Sequence, residues 1–483
     1  MAKRSKKQAP SEQYSNKLWQ TLRCLKHEEH IRLLRYLRSP YFIMSKTMAP
    51  LCEVLIKLIE RKEVGFDRPQ VWQKIFPDEP YDDVNFRKYC SDLLRLTGEF
   101  MAQEMSESDG AKKSIGTLTY AVQHRVEPLL STALRQARTA VEEKPYRSID
   151  DFLSAYSVER QYYALMEFDV KVNTRANLEE ISQQLDLFYW IEKLKLFSSM
   201  LSQQRTGNHQ YDLKFMGQIL EFLRDYPVET VPELAIYYYS FLTLYEEESV
   251  SHYYNLRRLL DAYATVMPQK EAIELFDSAL HYCTGKINKG DRAFLQEYFD
   301  VFAEAIQKGI FLQNGELATW RFNNLVASAL GLGKLEWAKD FVEEFKDHLP
   351  ADSRQNTYSF NLARVYRFQK KYDQVLDLLQ NVEYEDIGVN LISKMMLLIT
   401  HYERNDHEVL NSFIESFRVF LNRHKNIPQP RRISYLNLLK YTRRLMRLAP
   451  GDKSAVAKLR EEVSREKARI VNHEWLLEKL GEM

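Results

Sequence analysis

The residue types that support catalysis or metal binding occur in this chain without the spacing that such chemistry needs. His27 and His30 stand three positions apart in HEEH, whereas zinc-binding HExxH places its histidines four apart with the glutamate as base. The GLGK segment at 331–334 lacks the earlier glycine and the following serine or threonine of a phosphate-binding loop. No GxSxG segment, Cys–His signature or dinucleotide-binding fingerprint occurs either. The sequence therefore predicts a protein that is not an enzyme and that needs no cofactor or metal.

A first set of polar residues has the types needed to contact nucleic acid. Asn85, Lys88, Ser91 and Arg95, with Arg87 beside them, lie on the polar face of the predicted long helix DVNFRKYCSDLLRLTGEFMAQEM. Amide, hydroxyl and basic side chains bind base edges and phosphates when such a helix enters a major groove. The alternative is an ordinary helical cap whose polar residues face solvent.

The surrounding segment 68–105 resembles the winged-helix module of bacterial activators that precede a tetratricopeptide-like activation domain. The likeness rests on a short helix, PQVWQKIF, that ends in a Phe-Pro-Asp turn, and on Arg and Leu at similar spacing in the next helix. That family continues into a two-stranded wing, whereas this chain continues as a helix and a polar segment. The resemblance implies a DNA-binding regulator, with the long helix reading the groove.

A second set of residues is a basic stretch near the C-terminus. Residues 418–447 contain nine lysines or arginines and no acid, namely Arg418, Arg423, Lys425, Arg431, Arg432, Lys440, Arg443, Arg444 and Arg447. Their mutual repulsion indicates an acidic partner: an acidic protein, RNA or DNA phosphates, or anionic lipid. The alternatives are neutralisation by the acidic stretch 221–249 of a second copy, or solubility alone.

Composition predicts an all-α protein. Gly and Pro number 15 each among 483 residues, about 3% apiece against average usages of roughly 7% and 5%. Scarce turn residues favour long helices with short connections, and we expect no β-hairpin. No apolar run is long enough to span a membrane. The four widely separated cysteines are predicted to be buried in a reducing cytoplasm.

A repeat in the second half predicts how the helices are arranged. The segments GKLEWAKDFVEEF, KKYDQVLDLLQNV and NDHEVLNSFIESF are similar, and Leu335, Tyr372 and His407 mark equivalent points at spacings of 37 and 35 residues. A period in the middle thirties is typical of stacked antiparallel helix pairs, which present surface for binding.

Residues 319–425 resemble tetratricopeptide repeats. In the best unit, Phe322, Gly333, Ala338 and Pro350 match the aromatic, turn, small and terminating positions of the motif. The next unit matches at Leu362, Ala363, Tyr366 and Tyr372, whereas Val375 replaces the small residue. The resemblance implies an α-solenoid with a concave face, without specifying a ligand.

The sequence thus divides into a mobile basic tail (1–15), an N-terminal helical domain (16–107), a linker (108–118), a helical-repeat array (119–428) and C-terminal capping helices (429–483). The leading hypothesis is a cytoplasmic scaffold or adaptor that binds a protein or peptide on the array. The alternative is a DNA-binding regulator that uses the N-terminal module. The sequence does not specify the partner or the oligomeric state.

Overall fold

The computed structural model of this chain describes residues 14–142, 144–166, 172–173, 175–206, 209–379, 386–449 and 451–483. Most of the predicted basic tail, residues 1–13, lies outside the described residues.

The described residues form 23 α-helices, which confirms the prediction of an all-α protein. They are Lys17–Cys24 (α1), His27–Arg38 (α2), Met48–Glu60 (α3), Arg68–Ile75 (α4), Asp83–Ser108 (α5), Gly110–Gln123 (α6), Glu127–Glu142 (α7), Ile149–Leu165 (α8), Leu178–Thr206 (α9), Met216–Asp225 (α10), Pro232–Tyr245 (α11), Val250–Tyr263 (α12), Gln269–Asn288 (α13), Ala293–Gln307 (α14), Thr319–Gly331 (α15), Leu335–Phe345 (α16), Arg354–Phe368 (α17), Tyr372–Leu379 (α18), Ile387–Glu403 (α19), His407–Arg423 (α20), Gln429–Leu445 (α21), Lys453–Arg465 (α22) and His473–Glu482 (α23). Among these helices, none combines the length and the apolar character that crossing a membrane requires.

One small β-hairpin interrupts the helices, so the expectation of no hairpin is wrong. Leu312–Gln313 (β1) pairs antiparallel with Glu316–Leu317 (β2). Asn314 and Gly315 form the turn with φ of 52° and 82°. Asn-Gly favours such a two-residue turn because both residues tolerate positive φ, and here it acts between strands too short to show alternation.

The chain divides into two compact units, Met1–Tyr189 and Trp190–Met483. In the first unit, helices α1 to α5 enclose one apolar cluster that includes Trp19, Leu55 and Phe86. Tyr14 pairs with Phe66 in a short antiparallel bridge through two hydrogen bonds of 3.0 Å. Helices α6 to α8 form a separate small core around Leu118 and Ala137.

The predicted linker 108–118 is helical, so that prediction is wrong. Helix α5 continues to Ser108, and the Asp109 carboxylate then accepts hydrogen bonds from Ala111 N and Lys112 N, both at 3.1 Å. This N-cap starts α6 directly, because it satisfies amides that the first helical turn leaves unpaired. The polar composition of the segment reflects solvent exposure, and the unit boundary falls farther along, within α9.

The second unit contains the predicted helix-pair repeat. Leu335, Tyr372 and His407 are the first residues of α16, α18 and α20, so the spacing read from the sequence marks equivalent structural points. The preceding helices also contact one another, since α15 packs against α17 and α17 against α19. This adjacent packing is that of a helical-repeat array.

The three turns within these pairs share one backbone conformation. Each has a residue in the left-handed region two positions before the second helix: Gly333, Lys370 and Asn405, with φ of 72°, 58° and 60°. The next amide in each turn then bonds back to the carbonyl five positions earlier, at 2.9 to 3.0 Å. This bond is characteristic of the Schellman motif, which ends a helix and satisfies its last carbonyls.

The prediction that the cysteines are buried is correct for three of the four. Cys52, Cys90 and Cys283 are buried, whereas Cys24 is exposed. Cys24 is the last residue of α1, where the chain leaves the apolar face that buries Leu18 and Leu22. The helical pattern therefore stops predicting burial at this position.

Candidate functional site

The N-terminal candidate residues all lie on the exposed side of α5, which begins after an Asp82 N-cap. Asn85 donates to the Asp82 carboxylate at 2.8 Å. Arg87 pairs with Asp83 at 2.6 Å, and Arg95 pairs with Glu99 at 2.5 Å.

Lys88 and Ser91 are exposed on the same helix. Basic and acidic groups therefore alternate along this face, and its positive charges are largely compensated within the helix.

The connection between α4 and α5 also differs from a helix-turn-helix. Residues 76–82 separate the two helices, where the motif has a turn of three or four residues. In the described residues, α5 is followed by α6 and no wing strand occurs there. The predicted residues are therefore exposed, and Arg87 and Arg95 are paired with acids of the same helix.

Four arginines of the basic stretch have partners within the chain, and Arg418 pairs with Glu415 at 2.7 Å. Arg443 pairs with Glu415 of α20, and Arg444 makes two bonds to Glu462 of α22, at 2.5 and 3.1 Å. Arg432 donates to the carbonyls of His424 and Ile427 at 3.0 and 3.2 Å, just beyond the end of α20. The carboxylates and backbone carbonyls that pair with these arginines lie outside α21. The stretch has no acid of its own, but part of its positive charge is therefore compensated.

The remaining basic residues of the stretch are all exposed, namely Arg423, Lys425, Arg431, Lys440 and Arg447. Lys440 Nζ lies 4.7 Å from the Tyr441 ring centre. The Arg431 guanidinium lies beside Gly388 and near the Asp386 carboxylate, at the start of α19. The structure therefore brings Arg431 to the edge of a groove that the sequence did not reveal.

This groove crosses the first helices of three successive repeats. It has a volume of about 620 Å³, and its lining residues are Thr319, Trp320, Asn323, Asp352, Ser353, Asn356, Thr357, Phe360, Asp386 and Val389. They come from α15, from α17 and the residues before it, and from the start of α19. An open cleft with aromatic surface and several hydrogen-bonding groups has the character of a ligand site.

A hydrogen-bonded pair of asparagines fixes the floor of the groove. The fully buried Asn361 of α17 donates through Nδ2 to Asn323 Oδ1 at 2.6 Å and to the Thr357 carbonyl at 2.8 Å. With Oδ1 occupied, the Nδ2 group of Asn323 has no hydrogen-bond partner among the described residues. Because Asn323 lines the groove and is only partly buried, this donor is available to a ligand carbonyl.

Arg364 extends the polar surface one helical turn beyond Phe360. Its Nη1 donates to the Asn323 carbonyl at 2.9 Å and to Asn361 Oδ1 at 3.4 Å. Within the described residues, no carboxylate lies within 4.0 Å of this partly buried guanidinium. Burial and then the charge of Arg367 lower the pKa of Arg364 to about 10.

Arg367, on the same helix, is also partly buried and forms no ion pair with a described residue. Burial lowers the pKa of Arg367, although Tyr372, Glu403 and Glu478 act in the opposite direction. Arg367, in the last turn of α17, gains about 0.3–1 kcal/mol from the helix dipole, whereas fully removing an ion from water costs several kcal/mol. An anion bound beside Arg364 and Arg367 would therefore offset the free-energy cost of burying their charges.

The opposite end of the groove is acidic. Asp352 is exposed just before α17 and has no cation within 4.0 Å among the described residues. Asp386 caps α19 by accepting from Val389 N at 2.8 Å. Trp320, which is 51% exposed, adds an aromatic surface.

Comparison with known protein families, with curated proteins and with solved structures finds no match to this chain. The candidate site is therefore defined by its own geometry.

This groove is absent from the predictions made from the sequence, although a signal for it is present. Asn323 and Asn361 stand 38 positions apart, close to the repeat period. A polar residue recurring with the repeat at a buried position indicates contact between successive first helices. The same spacing occurs earlier, where Ser240 and Ser278 of α11 and α13 lie 3.3 Å apart.

Proposed function

We propose that the second unit is a tetratricopeptide-like array that binds an extended peptide segment of a partner protein in this groove. The chain would then act as a cytoplasmic, non-enzymatic scaffold or adaptor. The observation that carries the proposal concerns the side chain of Asn323. Asn361 donates to its Oδ1 atom, and its Nδ2 donor is left for a ligand in the groove.

The chemistry of the groove favours a peptide over a small apolar ligand. A peptide backbone presents carbonyl acceptors at regular intervals, and the Nδ2 donor of Asn323 can pair with one of them. Trp320, which is half exposed, supplies apolar surface for side chains. Repeat arrays present surfaces of this kind across several units.

The proposal can be tested by panning a random dodecapeptide library on the immobilised full chain. Peptides that are enriched would be synthesised, and their affinities measured for the parent and for Asn323→Ala. We expect a loss of about tenfold, the equivalent of one hydrogen bond to a buried or partly buried group. Asn411→Ala is the matched control, because Asn411 is an exposed asparagine on α20 that bonds only the His407 carbonyl.

The proposal fails if no peptide is enriched, or if enriched peptides bind both variants and the parent equally. Circular dichroism and thermal unfolding of each variant would confirm that a loss of affinity does not reflect unfolding.

The DNA-binding alternative stays a prediction from the sequence, and it can be tested on the full chain. Binding to a mixed-sequence duplex would be measured at several salt concentrations, for the parent and for the Arg87→Gln, Lys88→Gln, Arg95→Gln triple variant. Because acids on α5 already compensate Arg87 and Arg95, we expect no difference between the two. A salt slope that falls in the triple variant by somewhat under one unit for each lost phosphate contact would favour the alternative.

A further inference from the structure

The groove and its extension along α17 are electrically polarised. Asp352 and Asp386 lie at the end where α17 begins, and Arg364 and Arg367 lie towards its C-terminal end. Asn323 lies between them, since it lines the groove and its carbonyl accepts from Arg364. Nothing in the described residues pairs Asp352 or Arg364 with an opposite charge within 4.0 Å.

We infer that the peptide bound in this groove is itself bipolar, with an acidic residue that pairs with Arg364 and a basic residue that binds beside Asp352 and Trp320. This inference rests on the proposed function. It adds the charge pattern of the peptide to that proposal.

The separation of the two ends fixes the spacing of the charges. Asp352 lies two positions before α17 begins at Arg354, and the ten helical steps from Arg354 to Arg364 span about 15 Å at 1.5 Å per residue. An extended peptide advances about 3.3 Å per residue, so opposite charges about five positions apart would reach both ends.

Each end offers a recognition geometry suited to its ligand. A guanidinium group binds a carboxylate through parallel hydrogen bonds, and Arg364 uses only Nη1 within the described residues. Exposed carboxylates beside an aromatic ring favour a lysine or arginine side chain. Arg431, near Asp386, reduces the negative charge at that end, so Asp352 is the stronger determinant.

Synthetic octapeptide pools test this inference directly. One position would be fixed as Lys, a position five residues later as Glu, and the others randomised; a second pool would reverse the order. Control pools would carry Gln at both fixed positions, Lys at both, or Glu at both. Binding of fluorescein-labelled pools to the full chain would be measured by fluorescence polarisation at low salt.

We expect one of the two opposite-charge pools to bind about tenfold more tightly than the Gln pool, with the favoured order revealing the direction of the peptide. Arg364→Gln should remove that advantage, measured as the ratio of the affinities of this same variant for the opposite-charge pool and for the Gln pool. Arg364→Lys, which keeps the charge, should restore part of it. Arg465→Gln is the matched control, because Arg465 forms an exposed pair with Glu461 on α22.

The outcomes separate the inference from the proposed function. Binding of all pools with equal affinity would support a peptide groove and overturn the bipolar ligand. An advantage that survives Arg364→Gln in a folded variant would also overturn it, as would tightest binding of the Lys-only or Glu-only pool. Absence of binding by every pool would overturn both.

Discussion

Lys479 Nζ lies 3.0 Å from Glu403 Oε2, and this ion pair joins the C-terminal helix α23 to the end of α19. The side chains of Lys479 and Glu403 are only 8% and 13% exposed. The other oxygen of Glu403 accepts from Trp475 Nε1 at 2.7 Å. Burial lowers the pKa of Lys479, but hydrogen bonds to Glu482 and Glu403 outweigh that effect and raise the pKa above its ordinary value.

Lys479→Met should therefore destabilise the protein by roughly 3–5 kcal/mol, because it leaves the Glu403 carboxylate buried without its cation. Urea unfolding followed by circular dichroism measures the change. Adding Glu403→Gln should recover much of the loss, since glutamine still accepts from Trp475 without a charge. Arg465→Met, which breaks the exposed Arg465–Glu461 pair, should cost no more than about 1 kcal/mol. Equal effects of Lys479→Met and Arg465→Met would contradict the role assigned to this pair.

Ala338 is fully buried on α16, as the repeat alignment predicted. Ala338→Leu should overpack this contact and lower the free energy of unfolding by roughly 1–3 kcal/mol. Ala457, exposed on α22, provides the control, and Ala457→Leu should have little effect. If the two variants melt at the same temperature, close packing at Ala338 does not stabilise the array.

Three of the exposed basic residues of the stretch, Arg431, Lys440 and Arg447, should contribute to anion binding. Arg431→Gln, Lys440→Gln and Arg447→Gln together should weaken binding to heparin or anionic vesicles, with a smaller dependence on salt, and should leave stability nearly unchanged. Arg444→Gln should instead cost up to about 1 kcal/mol of stability, because Arg444 pairs with Glu462. Equal retention of parent and triple variant on a heparin column would show that these three residues bind no anion.

The thiols should differ sharply in reactivity. Burial raises the pKa of Cys52 and of Cys283 to about 12 and that of Cys90 to about 11, whereas Cys24 is exposed. Since the thiolate is the nucleophile, iodoacetamide at pH 8 should modify Cys24 in the native protein and reach the other three only after unfolding.

The raised thiol pKa values also predict how the stability of the protein depends on pH. The unfolded chain releases these protons more readily, so their contribution to stability is intact below the ordinary thiol pKa and declines as pH rises from about 9 towards 12.

For the iodoacetamide experiment, peptide mapping by mass spectrometry identifies the modified thiols. Rapid labelling of Cys52 or Cys283 in the folded protein would contradict the burial described above.

The sequence alone determined the helical class and the repeat register. Low Gly and Pro content and apolar residues at helical spacing are local properties, and they act before any tertiary contact forms. The register at Leu335, Tyr372 and His407 was readable because equivalent helices start at equivalent positions. The turns were harder to predict, since Lys370 and Asn405 adopt the left-handed conformation that only Gly333 signals in sequence.

Only the tertiary structure decided which polar residues lie together. Asn323 and Asn361 meet because α15 and α17 pack side by side, and Arg364 joins them from the next turn of α17. The same packing brings Glu415 and Glu462 to Arg443 and Arg444, so a stretch that is uniformly basic in sequence becomes partly neutral in space. Ion pairs and hydrogen bonds depend on distances of a few ångströms between residues far apart in the chain, and local periodicity carries no information about those distances.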